Sequence, residues 1–194
     1  MSKASIFAVA AVALTAAGAQ ASTNDLLIVD LSVPNQVTIS ADTGVSAATI
    51  SGADSTGVYF ENFYAAAGGS LTTTSTGAGD LTNFLNPSDG SPALFRGGGG
   101  TDTGLNVWSW SSDSTVDFVA GTQGFTGSGT WALDPAEYAD MLAGNTSGKL
   151  YFPADTNDDL NSATFIGTWR VVPTPGTLAL AGAGCVMGVR RRRK

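Results

Sequence analysis

The sequence predicts a mainly β body, an antiparallel β-sandwich of the jelly-roll-like kind with one short helix. Strand-like apolar runs recur at short spacing through the middle of the chain. The 25 glycines, together with abundant Ser, Thr, Asn and Asp, supply turn residues between these runs. Segments long enough to form crossover helices between parallel strands are missing, which favours antiparallel pairing. We expect this body to span residues 22 to 170.

The runs are rich in β-branched, aromatic and aliphatic residues and are bounded by Gly, Pro, Ser or Asp, which predicts about nine or ten strands. In chain order they are Leu26–Val33, Gln36–Ser40, Ser46–Ile50, Gly57–Tyr64, Leu105–Trp110, Thr115–Ala120, Gly124–Leu133, Leu150–Pro153 and Ala163–Val172. The fifth and sixth runs are close neighbours and predict a hairpin. The triplet Gly-Thr-Trp occurs at 129–131 and again at 167–169, which indicates two core strands.

One short helix is predicted to begin at Pro135 and to end near Ala143. Asp134 is a suitable N-cap, Pro135 suits the first helical position, and Glu137 falls at the third. Gly144 is expected to end the helix. The side chains predicted on its apolar face are Tyr138, Met141 and Leu142.

Charge is distributed unevenly along the chain. Residues 22 to 170 hold all sixteen Asp and Glu but only three basic residues, Arg96, Lys149 and Arg170. Such an acidic body repels phosphate backbones, so nucleic acid is not an expected partner. Histidine is absent, which removes the commonest general base. With no recognisable catalytic constellation, the body is not expected to be an enzyme.

The N-terminus, MSKASIFAVAAVALTAAGAQAS, has the order of a secretory signal peptide. Lys3 supplies the positive start, and an apolar stretch too short to span a bilayer follows. Ala19 and Ala21 then give the small-x-small pattern that signal peptidase accepts. We therefore expect residues 1 to 21 to be removed and the mature protein to begin at Ser22.

The C-terminus combines a proline pair, a short apolar run and a basic cluster. Residues 177 to 189 would form a helix roughly 20 Å long, shorter than the roughly 30 Å hydrocarbon core. The cluster that follows consists of Arg190, Arg191, Arg192, Arg193 and Lys194. Positive charge stays on the cytoplasmic side, so the tail is expected inside and the body outside.

Pro173-Thr174-Pro175-Gly176, the apolar run and the basic cluster together resemble the C-terminal sorting signal of the PEP-CTERM family. The family's usual core is Pro-Glu-Pro, and Thr174 stands in place of the glutamate. The resemblance covers residues 171 to 194 and implies transient anchoring in the inner membrane through a hydrophobic helix. It further implies cleavage near the prolines by an exosortase, followed by delivery to the cell surface or extracellular matrix. A permanent membrane anchor is the alternative.

An acidic stretch, Ala154-Asp155-Thr156-Asn157-Asp158-Asp159, resembles the start of an oxygen-rich calcium loop. Asp155, Asn157 and Asp159 would take its first, third and fifth positions. Leu160 stands where the loop glycine belongs and Ile166 where the final Glu belongs, so an EF-hand is excluded. A looser Ca²⁺ site and a solvated acidic turn both remain open, and no other cofactor is expected.

Two further features bear on ligands. Trp108 and Trp110 share one face of a strand by period two, so they either stack on sugar rings or fill the core. Pairs of carboxylates such as Asp134 with Glu137 are candidates for glycosidase chemistry, but nothing in the sequence selects one pair. The sequence thus predicts an exported structural, adhesive or polysaccharide-binding protein. The alternatives are a secreted polysaccharide-active hydrolase and a permanently membrane-anchored surface protein.

Overall fold

The computed structural model describes residues 25–45, 52–54, 57–69, 71–74, 93–96, 101–108, 116–118, 121–125 and 127–172. The predicted signal peptide, the predicted sorting motif, the basic cluster, Trp110 and the strand predicted over residues 46–50 lie outside these ranges. Within them, no helix is both long enough and apolar enough to cross a bilayer.

The described chain is mainly β with one α-helix, as the sequence predicted. The strands are β1 (Asp25–Asp30), β2 (Gln36–Ala41), β3 (Gly52–Asp54), β4 (Val58–Phe60), β5 (Leu71–Thr74), β6 (Ala93–Arg96), β7 (Leu105–Trp108), β8 (Val116–Phe118), β9 (Ser128–Ala132), β10 (Ser147–Phe152) and β11 (Thr164–Val171). The α-helix, α1, is Pro135–Leu142, and a short 3₁₀ helix covers Asn157–Asn161.

Nine of these strands form one sheet in the order β5-β6-β7-β4-β10-β11-β1-β2-β9. The two end strands, β5 and β9, approach each other, so the sheet curls nearly into a barrel. The remaining strands, β3 and β8, pair with each other as a separate two-stranded sheet.

The sheet is mixed, which corrects the prediction of a purely antiparallel sandwich. The first and last strands, β1 and β11, run parallel, with Ile28 opposite Arg170 and Val29 opposite Val171. Parallel neighbours need a long connection between them. Here the connection is nearly the whole body, from the end of β1 to the start of β11. The pairing therefore requires no crossover helix, and no short sequence pattern predicts it. Nine of the eleven described strands form one curled sheet rather than two stacked layers.

The predicted hairpin of Leu105–Trp110 with Thr115–Ala120 is wrong. β7 lies between β4 and β6, whereas β8 pairs with β3. Proximity in sequence suggested the hairpin, but long-range pairing decided the neighbours. β3, β5 and β6 were not predicted, because short runs such as Ala93-Leu94-Phe95-Arg96 carry little periodicity.

The helix begins as predicted. The Asp134 side chain accepts hydrogen bonds from the backbone N–H groups of Ala136 and Glu137, each at 2.8 Å. The Glu137 side chain accepts from the Asp134 N–H at 3.1 Å, which completes a capping box. Met141 is buried and the Tyr138 hydroxyl donates to the Leu31 carbonyl at 2.6 Å. Leu142, predicted on the same face, is instead exposed, because it lies one helical step away from Met141.

Most buried apolar side chains belong to one cluster, which includes the two repeated tryptophans. Trp131 on β9 and Trp169 on β11 are fully buried, which confirms that both Gly-Thr-Trp triplets mark core strands. Each indole packs over a glycine. A Cβ added at Gly129 would lie 2.5 Å from the Trp131 ring, and one at Gly148 would lie 2.8 Å from Trp169 Nε1.

Candidate functional site

A pocket of about 220 Å³ lies between α1 and one end of the sheet, and we call it the helix pocket. Its sheet side is formed by Tyr64, Gly69, Leu71 and Arg96. Its helix side is formed by Asp134, Ala136, Glu137 and Asp140. The capping box fixes the start of α1 and β5 pairs with β6, whereas Tyr64 and Gly69 lie on the segment between β4 and β5.

Arg96 is the central group of the helix pocket. Its side chain is only 6% exposed, although it carries a full charge. Nη1 donates to Asp140 Oδ2 at 2.9 Å, and Nη2 donates to the Ala66 carbonyl at 2.9 Å. The guanidinium carbon lies 3.6 Å from the centroid of the Tyr64 ring, a cation–π contact. These contacts hold the guanidinium in one orientation from three sides.

One donor of this guanidinium is not used by the protein. Arg96 Nε is buried and has no hydrogen-bond partner among the described residues. A buried donor without a partner costs roughly 1–3 kcal/mol relative to one that is paired. Nε is also shielded from solvent, so an acceptor in the helix pocket does not reach it and the cost is borne by the folded chain.

The carboxylates of the helix pocket are already engaged. Asp134 and Glu137 cap the N-terminus of α1, and Asp140 pairs with Arg96. Asp134 and Glu137, weighed above as a glycosidase pair, thus have a structural role in the capping box. Burial raises the pKa of the Tyr64 phenol, so Tyr64 is neutral beneath the guanidinium.

Gly69 keeps the helix pocket open. Its φ is +75°, a backbone conformation that glycine adopts without a steric penalty. A Cβ at this position would lie 2.8 Å from Arg96 Nη1. A larger residue would therefore displace the guanidinium from Asp140.

The predicted calcium residues lie on the loop between β10 and β11. The carboxyl groups of Asp155 and Asp159 share a hydrogen bond, and the Asp155 N–H donates to Asp159 Oδ2 at 3.3 Å. Asn157 is exposed, and its backbone N–H donates to Asp102 Oδ2 at 3.4 Å. Three or more metal-ligating side chains do not converge anywhere in the described ranges. The calcium site therefore stays a prediction, with two of its three residues brought together.

The hydrogen bond between the two carboxyl groups alters how they titrate. That bond raises the pKa of Asp155 to about 6, with smaller contributions from burial and from the Asp159 charge. The same bond lowers the pKa of Asp159. The pair consequently holds one proton, on Asp155, in mildly acidic solution.

We expect Asp155→Asn to remove a pH-dependent loss of stability. The folded-state pKa of Asp155 is raised, so protonated Asp155 adds to the free energy of unfolding. This stabilisation is full below the usual Asp pKa and is lost as pH rises through about 6. The lowered pKa of Asp159 contributes above that usual value and is lost only in stronger acid. An amide stays neutral and can donate to Asp159 at every pH. The free energy of unfolding, measured with urea at pH 5 and at pH 8, should therefore decrease less between these two pH values for the variant than for the wild type.

The matched control for this comparison is Asp158→Asn. Asp158 is exposed on the same 3₁₀ helix, and its replacement changes the net charge equally. It should leave the difference between pH 5 and pH 8 as in the wild type. An equal effect from both variants would show that general charge repulsion, and not the shared proton, is responsible.

The predicted stacking pair is only partly described. Trp108 ends β7 opposite Ala93 of β6, and Trp110 lies outside the described residues. A different aromatic pair is at the surface: Phe165 on β11 is 37% exposed, and its ring centroid lies 6.0 Å from that of Tyr151 on β10. These two residues occupy paired positions on adjacent strands.

Sequence reasoning missed the residues that form the helix pocket. Arg96 had one usable signal, since it is one of only three basic residues in a strongly acidic body and follows three apolar residues. Tyr64 and Asp140 had none, because their meeting with Arg96 depends on how α1 packs beside the sheet.

Comparison with protein-family models, with curated proteins and with solved structures finds no match to this chain.

Proposed function

We propose that this chain is an exported protein, sorted to the cell surface or extracellular matrix, whose body binds polysaccharide without acting on it chemically. Signal peptidase and an exosortase-type membrane protease would be its processing partners. The inner membrane would hold it through the C-terminal apolar run before release.

The sorting half of this proposal is supported by agreement between the two ends of the chain. The N-terminal stretch ending at Ala21 directs export, and the cluster from Arg190 to Lys194 resists translocation. Both place the body on the outside. The segment from Pro173 to Pro175 would then stand near the outer interface in extended form, accessible to a membrane protease.

The binding half is carried by the helix pocket, which presents a fixed guanidinium donor among carboxylate acceptors. Sugar hydroxyls both donate and accept hydrogen bonds, and a site with both kinds of group is suited to them. Because α1 and the sheet hold these groups, the pocket is formed before any ligand arrives.

The hydrolase alternative has weaker support. Glycosidases separate their two carboxyl groups by roughly 5 to 9.5 Å, to leave room for the sugar and water. Asp155 and Asp159 are instead in direct hydrogen-bond contact, and Asp134 and Glu137 cap a helix. The first pair is too close for this chemistry, and the second is held by the helix cap.

Replacing Arg190 to Arg193 with serine should impair membrane retention and sorting, because the stop to translocation is removed. Mass spectrometry of the surface-exposed form, in a cell that carries an exosortase, measures this directly. The wild-type form should end near Pro173 to Pro175. A surface form that retains Arg190 to Lys194 would contradict sorting and favour a plain anchor. As a companion variant, Thr174→Glu restores the usual core and should increase the processed fraction.

The exported protein should bind members of a polysaccharide array. The array is probed with and without Ca²⁺, so that the same experiment tests the Asp155–Asp159 loop. Binding that chelator abolishes would support a calcium site, and binding indifferent to chelator would argue against it. Failure to bind any member in either condition would overturn the binding half of the proposal.

A further inference from the structure

We infer that, until the tail is removed, the body lies on the outer surface of the inner membrane with one particular end of its sheet toward the lipid. This is the end at which β11 finishes, and we call it the exit end. The inference rests on the proposed insertion of the C-terminal apolar run. It adds an orientation and a contact surface, neither of which that proposal requires.

The parallel pairing of β1 with β11 decides which elements form the exit end. Val29 lies opposite Val171, so both strands finish here, and the Val172 N–H donates to the Val29 carbonyl at 2.9 Å. β2 runs antiparallel to β1, which places the connection from 31 to 35 at the same end. β10 begins opposite Arg170, so helix α1, which precedes β10, also lies at the exit end.

The connection between the sheet and the apolar run is short. Hydrogen bonds hold the chain to the sheet as far as Val172, and the apolar run begins at Thr177. The four residues between them, Pro173 to Gly176, reach at most roughly 14 Å even when fully extended. A membrane that holds the apolar run therefore keeps the exit end close to its surface.

The opposite end of the sheet, which we call the far end, is not constrained in this way. β2 begins at the exit end and finishes at Ala41, and its six residues cover roughly 20 Å along the strand. The loop that carries Asp155 and Asp159 joins β10 to β11 at the far end. This loop is consequently directed away from the membrane and toward the outside of the cell.

Exposed apolar side chains occur at both ends, so they do not by themselves choose the orientation. Val33 and Leu142, which are 49% and 48% exposed, lie at the exit end. Val45 and Phe165, which are 46% and 37% exposed, lie at the far end. The short connection selects the first pair, and both side chains gain when the interface removes them from water.

The contact does not depend on charge attraction. The carboxylates at the start and on the first turns of α1 are bonded within the protein, Asp134 and Glu137 in the capping box and Asp140 to Arg96. They would repel anionic headgroups, so the exit end fits a zwitterionic lipid surface. The orientation should therefore persist in high salt, which screens exposed charges.

The test measures how close each end lies to lipid headgroups. The exported protein with its tail intact, in which Cys185→Ser removes the native thiol, is inserted into phosphatidylcholine vesicles that carry a nitroxide on a fraction of their headgroups. A fluorophore is attached to Val33→Cys or Leu142→Cys at the exit end, and to Val45→Cys or Phe165→Cys at the far end. All four side chains are exposed, so the two sets differ in their position on the sheet. Circular dichroism establishes that each labelled variant is folded.

We expect quenching by the nitroxide to be at least about twofold stronger at the exit end, because roughly 20 Å of strand separates the two ends. The difference should be the same at low and high salt. Equal quenching at both ends, or stronger quenching at the far end, would overturn the orientation while the proposed anchoring stands. Failure of the protein to float with the vesicles would overturn the anchoring and the orientation together.

A longer connection tests the cause of the orientation. A flexible Gly/Ser segment of about 16 residues, inserted after Val172, adds an average reach of roughly 20 to 24 Å. The body could then turn and move away from the lipid, so the difference in quenching between the two ends should decrease. An unchanged difference would overturn the short connection as the cause.

Discussion

Replacing Trp169 with alanine should lower the free energy of unfolding by about 3–5 kcal/mol, the usual loss for a fully buried aromatic residue. Trp169 is completely buried on β11, with its ring 5.0 Å from that of Phe63 and 5.9 Å from that of Phe60. Because β11 joins β10 to β1, the cavity would open at the centre of the strand order. Single domains are stable by only about 5–15 kcal/mol, so urea unfolding should show a large shift in midpoint.

Two companion variants separate packing from other effects. Trp169→Phe keeps most of the ring contacts, and Trp169 Nε1 has no hydrogen-bond partner in the described part of the chain. The free energy of unfolding should fall less than half as far in Trp169→Phe as in Trp169→Ala. Phe165→Ala removes an exposed aromatic side chain from the same strand and should cost about 1 kcal/mol or less. Equal losses at positions 165 and 169 would contradict the central role of Trp169.

Sequence rules predicted correctly those features that depend on a few neighbouring residues. The capping box at Asp134 and Glu137, with Pro135 at the first position, satisfies the free N–H groups of α1 within four residues. It could therefore be predicted from the sequence. The two Gly-Thr-Trp triplets also predicted buried strands correctly. Trp131 packs against Gly129 of its own triplet, whereas Trp169 packs against Gly148 of the neighbouring strand β10.

Long-range pairing set the limit of prediction. The parallel contact of β1 with β11 joins residues more than a hundred positions apart, and neither strand carries a mark of its partner. Strand register and strand neighbours depend on which apolar faces pack together in the folded chain. A short stretch of sequence does not contain that information. The same limit hid the helix pocket, since Arg96, Tyr64 and Asp140 come from three separate segments.

The second large effect is expected at Gly104, which precedes β7. A Cβ there would lie 1.9 Å from Tyr59 Cζ and 2.1 Å from its hydroxyl oxygen. Tyr59 is fully buried and donates to Asp102, whose Oδ1 also accepts the Gly104 N–H at 2.8 Å. Gly104→Ala must therefore push the ring aside, and Asp102 loses its buried hydroxyl partner.

Overpacking costs about 1–3 kcal/mol, and a buried acceptor left without its partner costs about 1–3 kcal/mol more, so Gly104→Ala should lose several kcal/mol. The measurement is a double-mutant cycle by urea unfolding. Tyr59→Ala removes the ring that the methyl group would strike, so the double variant should be distinctly more stable than the sum of the single losses predicts. Gly124→Ala is the control, because its Cβ would meet only the flexible end of Leu26 at 3.2 Å. If the losses in free energy of unfolding of Gly104→Ala and Tyr59→Ala are strictly additive, the close approach of Tyr59 is not the reason that Gly104 is needed.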